Sequence, residues 1–235
     1  MMLLRSLLFM AWFLAATVVL AISALPILAL PRRWGRPAAA GLGRVWARAT
    51  LWGLQRFARI GMRVVGDAPQ GPVLVAAKHM SMWDTLALHL LLKDPAIVLK
   101  RELLRIPFYG WYLAKAGAIA IDRGGAASAL RKMQRAGKRA LAEGRPVLIF
   151  PEGTRKTPGA APDYKPGVAG LYSLLGVACV PVALDSGAYW TGFAKRPGTI
   201  TVRFLAPIPP GLKRQDFMAR LESSIETATR TLIAG

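Results

Sequence analysis

The chain reads as an α/β protein: a largely parallel sheet covered by helices, preceded by an N-terminal membrane-associated helical segment. Three observations predict this. Beyond residue 66, short apolar runs alternate with stretches of helical pattern, the order that builds a parallel sheet. Those runs are near-continuously apolar, as strands covered on both faces require. The first 66 residues are different, with nine arginines and no lysine, aspartate or glutamate. The sequence therefore divides into N-terminal membrane-anchoring helices over residues 1–65 and an α/β domain over residues 66–235.

Ser6 to Pro31 is a run of 26 uncharged residues, long enough to cross a bilayer. Pro26 bends or ends this helix. Arg32, Arg33 and Arg36 follow it, against Arg5 alone before it, so the positive-inside rule places the rest of the chain on the cytoplasmic face of the cell membrane. Residues 42–65 are expected as a second helix. On a helical wheel Arg44, Arg48, Arg56, Arg59 and Arg63 share an arc of about 120°. Trp46, Leu51, Leu54, Phe57, Ile60 and Val64 fill the rest. Such a helix suits a membrane interface, with its arginines on lipid phosphates.

Val73 to Ala77 is the first strand. Ser81 opens a helix that runs to about Lys93. Ala96 to Leu99 is strand. Residues 102–116 are largely helical with a break at Pro107, and Ala118 to Ile121 is strand. Ser128 to Glu143 is helix, closed by Gly144, and Val147 to Phe150 is strand. Gly167 to Leu175 is helix, closed by Gly176. Ala178 to Leu184 and Thr199 to Leu205 are strands, and Lys213 to Ile233 is a closing amphipathic helix. Pro158 to Pro166, rich in Pro, Gly and Ala, is a loop.

Composition narrows the partners. The hydrophobic fraction is 54% and the formal charge +20. A nucleic-acid binder of that charge would be less apolar, so no nucleic-acid partner is expected, and the combination suits an anionic membrane surface. Cys179 is the single cysteine, which excludes an internal disulfide and fits a buried thiol. Two histidines, one cysteine and no ligand cluster imply no metal and no cofactor.

The chemistry starts at Ala77-Lys78-His79-Met80-Ser81-Met82-Trp83-Asp84. A histidine with a carboxylate is the smallest unit that removes a proton from an alcohol near neutral pH. On one continuous helix the two side chains would diverge by about 140°. With Ser81 as N-cap and Asp84 at the third helical position, His79 lies in the preceding turn and can fold back over Asp84. His89 and Asp94 have the same spacing, but His89 sits in an apolar helical run and Asp94 in a turn, so that pair reads as structural. Sites in open α/β sheets form at the carboxyl ends of strands. There the chain places His79, then Lys100 and Arg101, then Asp122 and Arg123, then Glu152, Gly153, Thr154 and Arg155. One histidine, several carboxylates and four basic side chains on one rim suit a phosphate-bearing substrate.

The blocks around His79 and Asp84, Gly117 to Arg123, Phe150 to Arg155 and Val180 to Leu184 follow one another in this order. Over about residues 60–205 they resemble the glycerophospholipid acyltransferase family, most closely its 1-acyl-sn-glycerol-3-phosphate acyltransferases. The resemblance implies transfer of a fatty acyl group to the sn-2 hydroxyl of a lysophosphatidate, with His79 as the base and Asp84 orienting it. It implies that Lys100, Arg123, Glu152, Gly153, Thr154 and Arg155 bind the acceptor. The partners implied are acyl carrier protein or acyl-coenzyme A as donor, a lysophospholipid as acceptor, and membrane lipids. Backbone N–H groups at Glu152-Gly153 are candidates for the oxyanion. Lys78 and Ala120 depart from the family pattern at positions expected near the acceptor. Two other readings stay open. One keeps the chemistry but takes a lyso-ornithine lipid, another lysophospholipid or glycerol 3-phosphate. The other is a basic membrane-attached scaffold without catalysis.

Overall fold

The computed structural model describes residues 1–121 and 126–234. Three helices come first: α1 (Met2–Ser23), α2 (Leu25–Ala29) and α3 (Arg32–Gly53). The break expected at Pro26 falls at Ala24, and Pro26 instead lies in the first turn of α2, where its missing N–H costs nothing. α1 is long and apolar enough to cross a membrane. Its exposed Leu3, Leu4, Leu7, Leu8, Leu14, Val18, Val19 and Ile22 share one arc of about 160°. The opposite side docks on the protein, where Ser6 and Phe9 are buried. Trp12 Nε1 donates to the Ala49 carbonyl and Trp46 Nε1 to Thr17 Oγ1, both at 2.8 Å, which clamps α1 along α3.

The second helix is shorter than its arginine pattern predicts. α3 ends at Gly53, Leu54–Ala58 forms a π-helical turn, and Arg59 adopts a left-handed conformation (φ 56°). Residues Ile60–Val65 then form strand β1 rather than helix. Val64 and Val65 favour a strand, and the register with β9 (Gly198–Phe204) fixes it, from Ile60 opposite Gly198 to Val65 opposite Arg203. The arginines consequently split. Arg63 donates to Thr201 Oγ1, Arg36 pairs with Asp94 at 2.6 Å and Arg44 donates to the Lys93 carbonyl at 2.8 Å. Arg32, Arg33 and Arg48 are exposed.

The remaining strands are β2 (Leu74–Ala77), β3 (Ala96–Lys100), β4 (Ile119–Ile121), β5 (Val147–Ile149), β6 (Cys179–Leu184) and the two-residue pair β7 (Trp190–Thr191) and β8 (Ala194–Lys195). The main sheet has seven strands in the order β1-β9-β6-β2-β5-β3-β4. The run from β6 to β4 is parallel throughout, and β9 pairs antiparallel with β6. The helices are α4 (Met82–Leu91), α5 (Tyr109–Lys115), α6 (Ala126–Ala142), α7 (Gly167–Leu175) and α8 (Arg214–Ala234). Arg101–Arg105 is a 3-10 turn, so the expected break in this region comes before α5.

Two apolar cores cover the two faces. On one, Leu74, Ala76, Val147 and Ile149 pack against α6, α7 and α8. On the other, Val75, Ala77, Leu148 and Val182 pack against α1, α4 and Leu54. Cys179 is buried in the first core, and burial pushes its thiol up, so it is inert.

Residues 54–60 therefore belong to the folded unit. Burial of Leu54 and Ile60, 0% and 2% exposed, contributes about 1.5–3 kcal/mol each. A variant lacking residues 2–29 is expected to keep a cooperative thermal transition in detergent. A variant lacking residues 1–65 loses β1 and these contacts, and is expected to lose that transition, as followed by circular dichroism.

Candidate active site

The carboxyl ends of β2, β5 and β6 meet at one rim. β2 ends at Ala77, and two residues later His79 turns back over the start of α4. Ser81 is the N-cap: its Oγ accepts from the Trp83 N–H at 3.2 Å, and Asp84 completes a capping box. The fully buried Asp84 carboxylate receives three donors on one oxygen. Oδ2 lies 3.0 Å from His79 Nδ1, 2.7 Å from the Met80 N–H and 2.8 Å from the Ser81 N–H. These bonds meet the cost of burying the charge. They also fix the imidazole with Nδ1 toward Asp84, which leaves Nε2 for a partner outside. The His79 ring stacks on Phe150 at 4.0 Å between centroids and keeps 13% of its side chain exposed.

Ser186, two residues beyond β6, accepts a 2.9 Å hydrogen bond from Ser81 Oγ. Its neighbour Asp185 accepts the Thr201 N–H at 2.8 Å. Burial holds the Asp185 carboxyl above the usual carboxylate range, and the Asp84 charge acts in the same direction. Sequence reasoning stopped at Leu184 and missed both residues, although the end of an apolar strand was the available signal.

The loop after β5 carries Glu152, Gly153, Thr154 and Arg155. Glu152 is buried, and its Oε1 lies 2.9 Å from Lys78 Nζ. Burial pushes its pKa up, and the hydrogen bond and charge of Lys78 oppose that shift. Lys78 also reaches Glu226 Oε1 on α8 at 2.7 Å. The departure from the family pattern at Lys78 thus has a structural explanation in a buried ion-pair cluster. Gly153 takes φ 60°, which suits glycine, and its N–H donates to the Phe150 carbonyl at 2.9 Å. That N–H closes a turn at the end of β5. Thr154 and Arg155 are exposed. The charge of Arg155 reaches Tyr109, opposing the upward push that burial gives the phenol. Lys100 is exposed at the end of β3, and Arg123 lies outside the described residues. Among the described residues no cluster of His, Cys, Asp or Glu could hold a metal ion.

A cavity of about 470 Å³ runs between α1, α3, α4 and α5. Its lining is almost wholly apolar and includes Thr85 and Leu86, the residues next to Asp84, with Trp46, Tyr109 and Tyr112. His89 lines it too, with Nε2 3.3 Å from the Ala40 carbonyl. Burial pushes the His89 pKa down, and its Nδ1 has no hydrogen-bond partner among the described residues, so no carboxylate orients this ring as Asp84 orients His79.

A histidine held by a buried aspartate thus stands at the strand ends of a parallel sheet. The profile of the Acyltransferase family matches residues 59–185, more than half of the chain, and the chain belongs to this family. It is 40% identical over 161 residues to a 1-acyl-sn-glycerol-3-phosphate acyltransferase of Pseudomonas aeruginosa, a match covering 67% of this chain and 63% of that protein. It is 29% identical over 204 residues to a lyso-ornithine lipid O-acyltransferase of the same organism, covering 77% of this chain and 78% of that one. The fold is similar to the crystal structure of the 1-acyl-sn-glycerophosphate (LPA) acyltransferase of Thermotoga maritima, with a TM-score of 0.79, 20% identity and 100% coverage of both chains.

The capping network gives a stability prediction. Ser81→Ala is expected to lower the unfolding free energy by about 0.5–2 kcal/mol. Asp84→Ala strips buried donors of their acceptor, at about 1–3 kcal/mol each, and is expected to cost more than Ser81→Ala. Denaturant titrations of the two variants check the order.

Proposed function

We propose that the protein is a membrane-associated O-acyltransferase that moves a fatty acyl group from a thioester to the sn-2 hydroxyl of 1-acyl-sn-glycerol 3-phosphate, forming phosphatidic acid. The observation that carries this reading is the His79–Asp84 pair, 3.0 Å apart at the rim, with an apolar cavity lined by the next residue, Thr85. His79 Nε2 takes the proton of the acceptor hydroxyl as its oxygen attacks the thioester carbonyl. Asp84 stabilises the resulting imidazolium. The tetrahedral intermediate collapses, the C–S bond breaks, and the imidazolium returns its proton to the leaving thiolate. The donor is acyl carrier protein or acyl-coenzyme A.

Arg155, with Arg123, Lys100 and Thr154, is assigned to the acceptor's phosphate, for which an arginine fork is suited. Glu152 and Gly153 shape the loop that presents Arg155. The cavity takes an acyl chain, as its lining is apolar and largely preformed. The exposed face of α1 enters lipid, and the catalytic domain lies on the cytoplasmic side, so the lysolipid reaches the rim sideways from the leaflet. A second acceptor, a lyso-ornithine lipid, is favoured by one observation. The relative acting on that lipid matches more of this chain's length than the first relative does.

Acyl-transfer assays of the purified protein against a panel of lysolipids, with both thioesters, test this reading. His79→Ala is expected to lower turnover about 10²- to 10⁴-fold, while His89→Ala stays within about tenfold of the parent. Near-parental turnover by folded His79→Ala protein would end the mechanism.

Arg155→Ala is expected to raise the acceptor KM through loss of charge-assisted hydrogen bonds worth about 1.5–3 kcal/mol. A change confined to the KM of the thioester would show that the phosphate assignment is wrong.

A further inference from the structure

We infer that Lys78 and Glu226 are positioning residues: a buried ammonium bridge ties the carboxyl-terminal helix α8 to Glu152 and thereby holds the 151–156 loop in place beside His79. The kinetic part of this inference rests on the reaction proposed above. The structural part does not.

Lys78 stands one residue beyond β2, yet its side chain is only 4% exposed. Its Nζ lies 2.9 Å from Glu152 Oε1 and 2.7 Å from Glu226 Oε1. The Tyr164 hydroxyl donates to the same Glu226 oxygen at 3.0 Å, so the bridge also gathers the segment leading into α7. A buried lysine on this scale is retained only where its charge is paired. Two carboxylates around one ammonium also make the lysine indispensable to both. Without it, Glu152 and Glu226 would face each other as like charges in a place sheltered from water.

The 151–156 loop is anchored at Pro151 and Glu152, both buried. It is followed by the Pro- and Gly-rich segment 158–166, and its outer residues Thr154 and Arg155 are exposed. Its backbone is tied by the Lys165 N–H to the Pro151 carbonyl and by the Lys156 N–H to the His79 carbonyl, both at 2.9 Å. The second of these bonds joins the loop directly to the residue assigned as base. Movement of Glu152 would therefore be felt at His79 and at Arg155 together. Glu226 lies on α8, beyond the segment matched by the family profile.

Four forms of the full-length protein in lipid nanodiscs test the inference: the parent, Lys78→Met, Lys78→Arg and Glu226→Leu. The loop contains its own reporter, because trypsin cleaves after Arg155 and Lys156. Well below the unfolding temperature, Lys78→Met is expected to speed cleavage at these two sites about tenfold, as proteolysis follows the population of locally opened loop. Glu226→Leu is expected to speed it as well, and Lys78→Arg to restore the parental rate. In acyl-transfer assays Lys78→Met and Glu226→Leu are expected to raise the acceptor KM about fivefold with the thioester KM unchanged. Parental cleavage rates in folded Lys78→Met protein would overturn the inference, as would an increase shared equally by sites outside the loop. If Lys78→Met does not fold, Glu226→Leu decides, since it leaves the Lys78–Glu152 pair intact. The cleavage readout stands even if no lysolipid is acylated, which separates failure of the bridge from failure of the reaction.

Discussion

The site depends on one buried carboxylate. Asp84 has no solvent contact, and a charge in that position must be fully hydrogen-bonded to be tolerated. Its donors come from the turn that joins β2 to α4: two backbone N–H groups and the His79 ring. The same bonds that cap the helix therefore orient the imidazole. The chain cannot begin α4 correctly and leave His79 elsewhere, because both outcomes are set by one oxygen atom. Phe150 then limits the ring from its face, so the imidazole is held by the strand end of β5 as well as by its own turn.

The sheet separates two environments. α1, with its apolar outer arc, covers the face built on Val75, Ala77 and Leu148. α6, α7 and α8 cover the other. His79, Phe150 and Ser186 stand at the carboxyl ends of adjacent parallel strands, between those layers. α8 contributes to this rim from the far face through Glu226. The rim is thus assembled from both layers, although only the first carries the apolar helix.

Local signals made much of this legible in the sequence. Ser81 three residues before Asp84 marks a helix start, and that alone places His79 in a turn. Apolar runs bounded by Gly144 and Gly176 likewise mark strand and helix ends. Long-range pairing explains what was not legible. Leu54, Phe57, Ile60 and Val64 have helical spacing, but Ile60 to Val65 pair with a strand more than 130 residues away, from Ile60 opposite Gly198, and tertiary context overrides the local pattern. The same holds for Lys78. Nothing near it in the chain announces a partner 148 residues on, so a buried structural cation looked like an acceptor-side departure. Arg44 misled for a related reason, since an arginine pattern on a wheel cannot distinguish lipid phosphates from the Lys93 carbonyl.

The proposed reaction places opposite demands on one small region, and the arrangement of charge meets them. An acyl chain needs an apolar surface, which the cavity beside Thr85 and Leu86 supplies. A phosphate needs cations, and Arg155 stands on an exposed loop whose charge still reaches Tyr109 in the cavity wall. The base must be stabilised as it gains a proton, which a buried aspartate on Nδ1 supplies. A second histidine lies on the cavity wall, but burial without a carboxylate partner at hydrogen-bond distance pushes its pKa down, so it adds no competing charge to the apolar lining. Of two histidines with an aspartate five residues on, only the one outside the helix can reach its partner, and the N-cap at Ser81 decides which one that is.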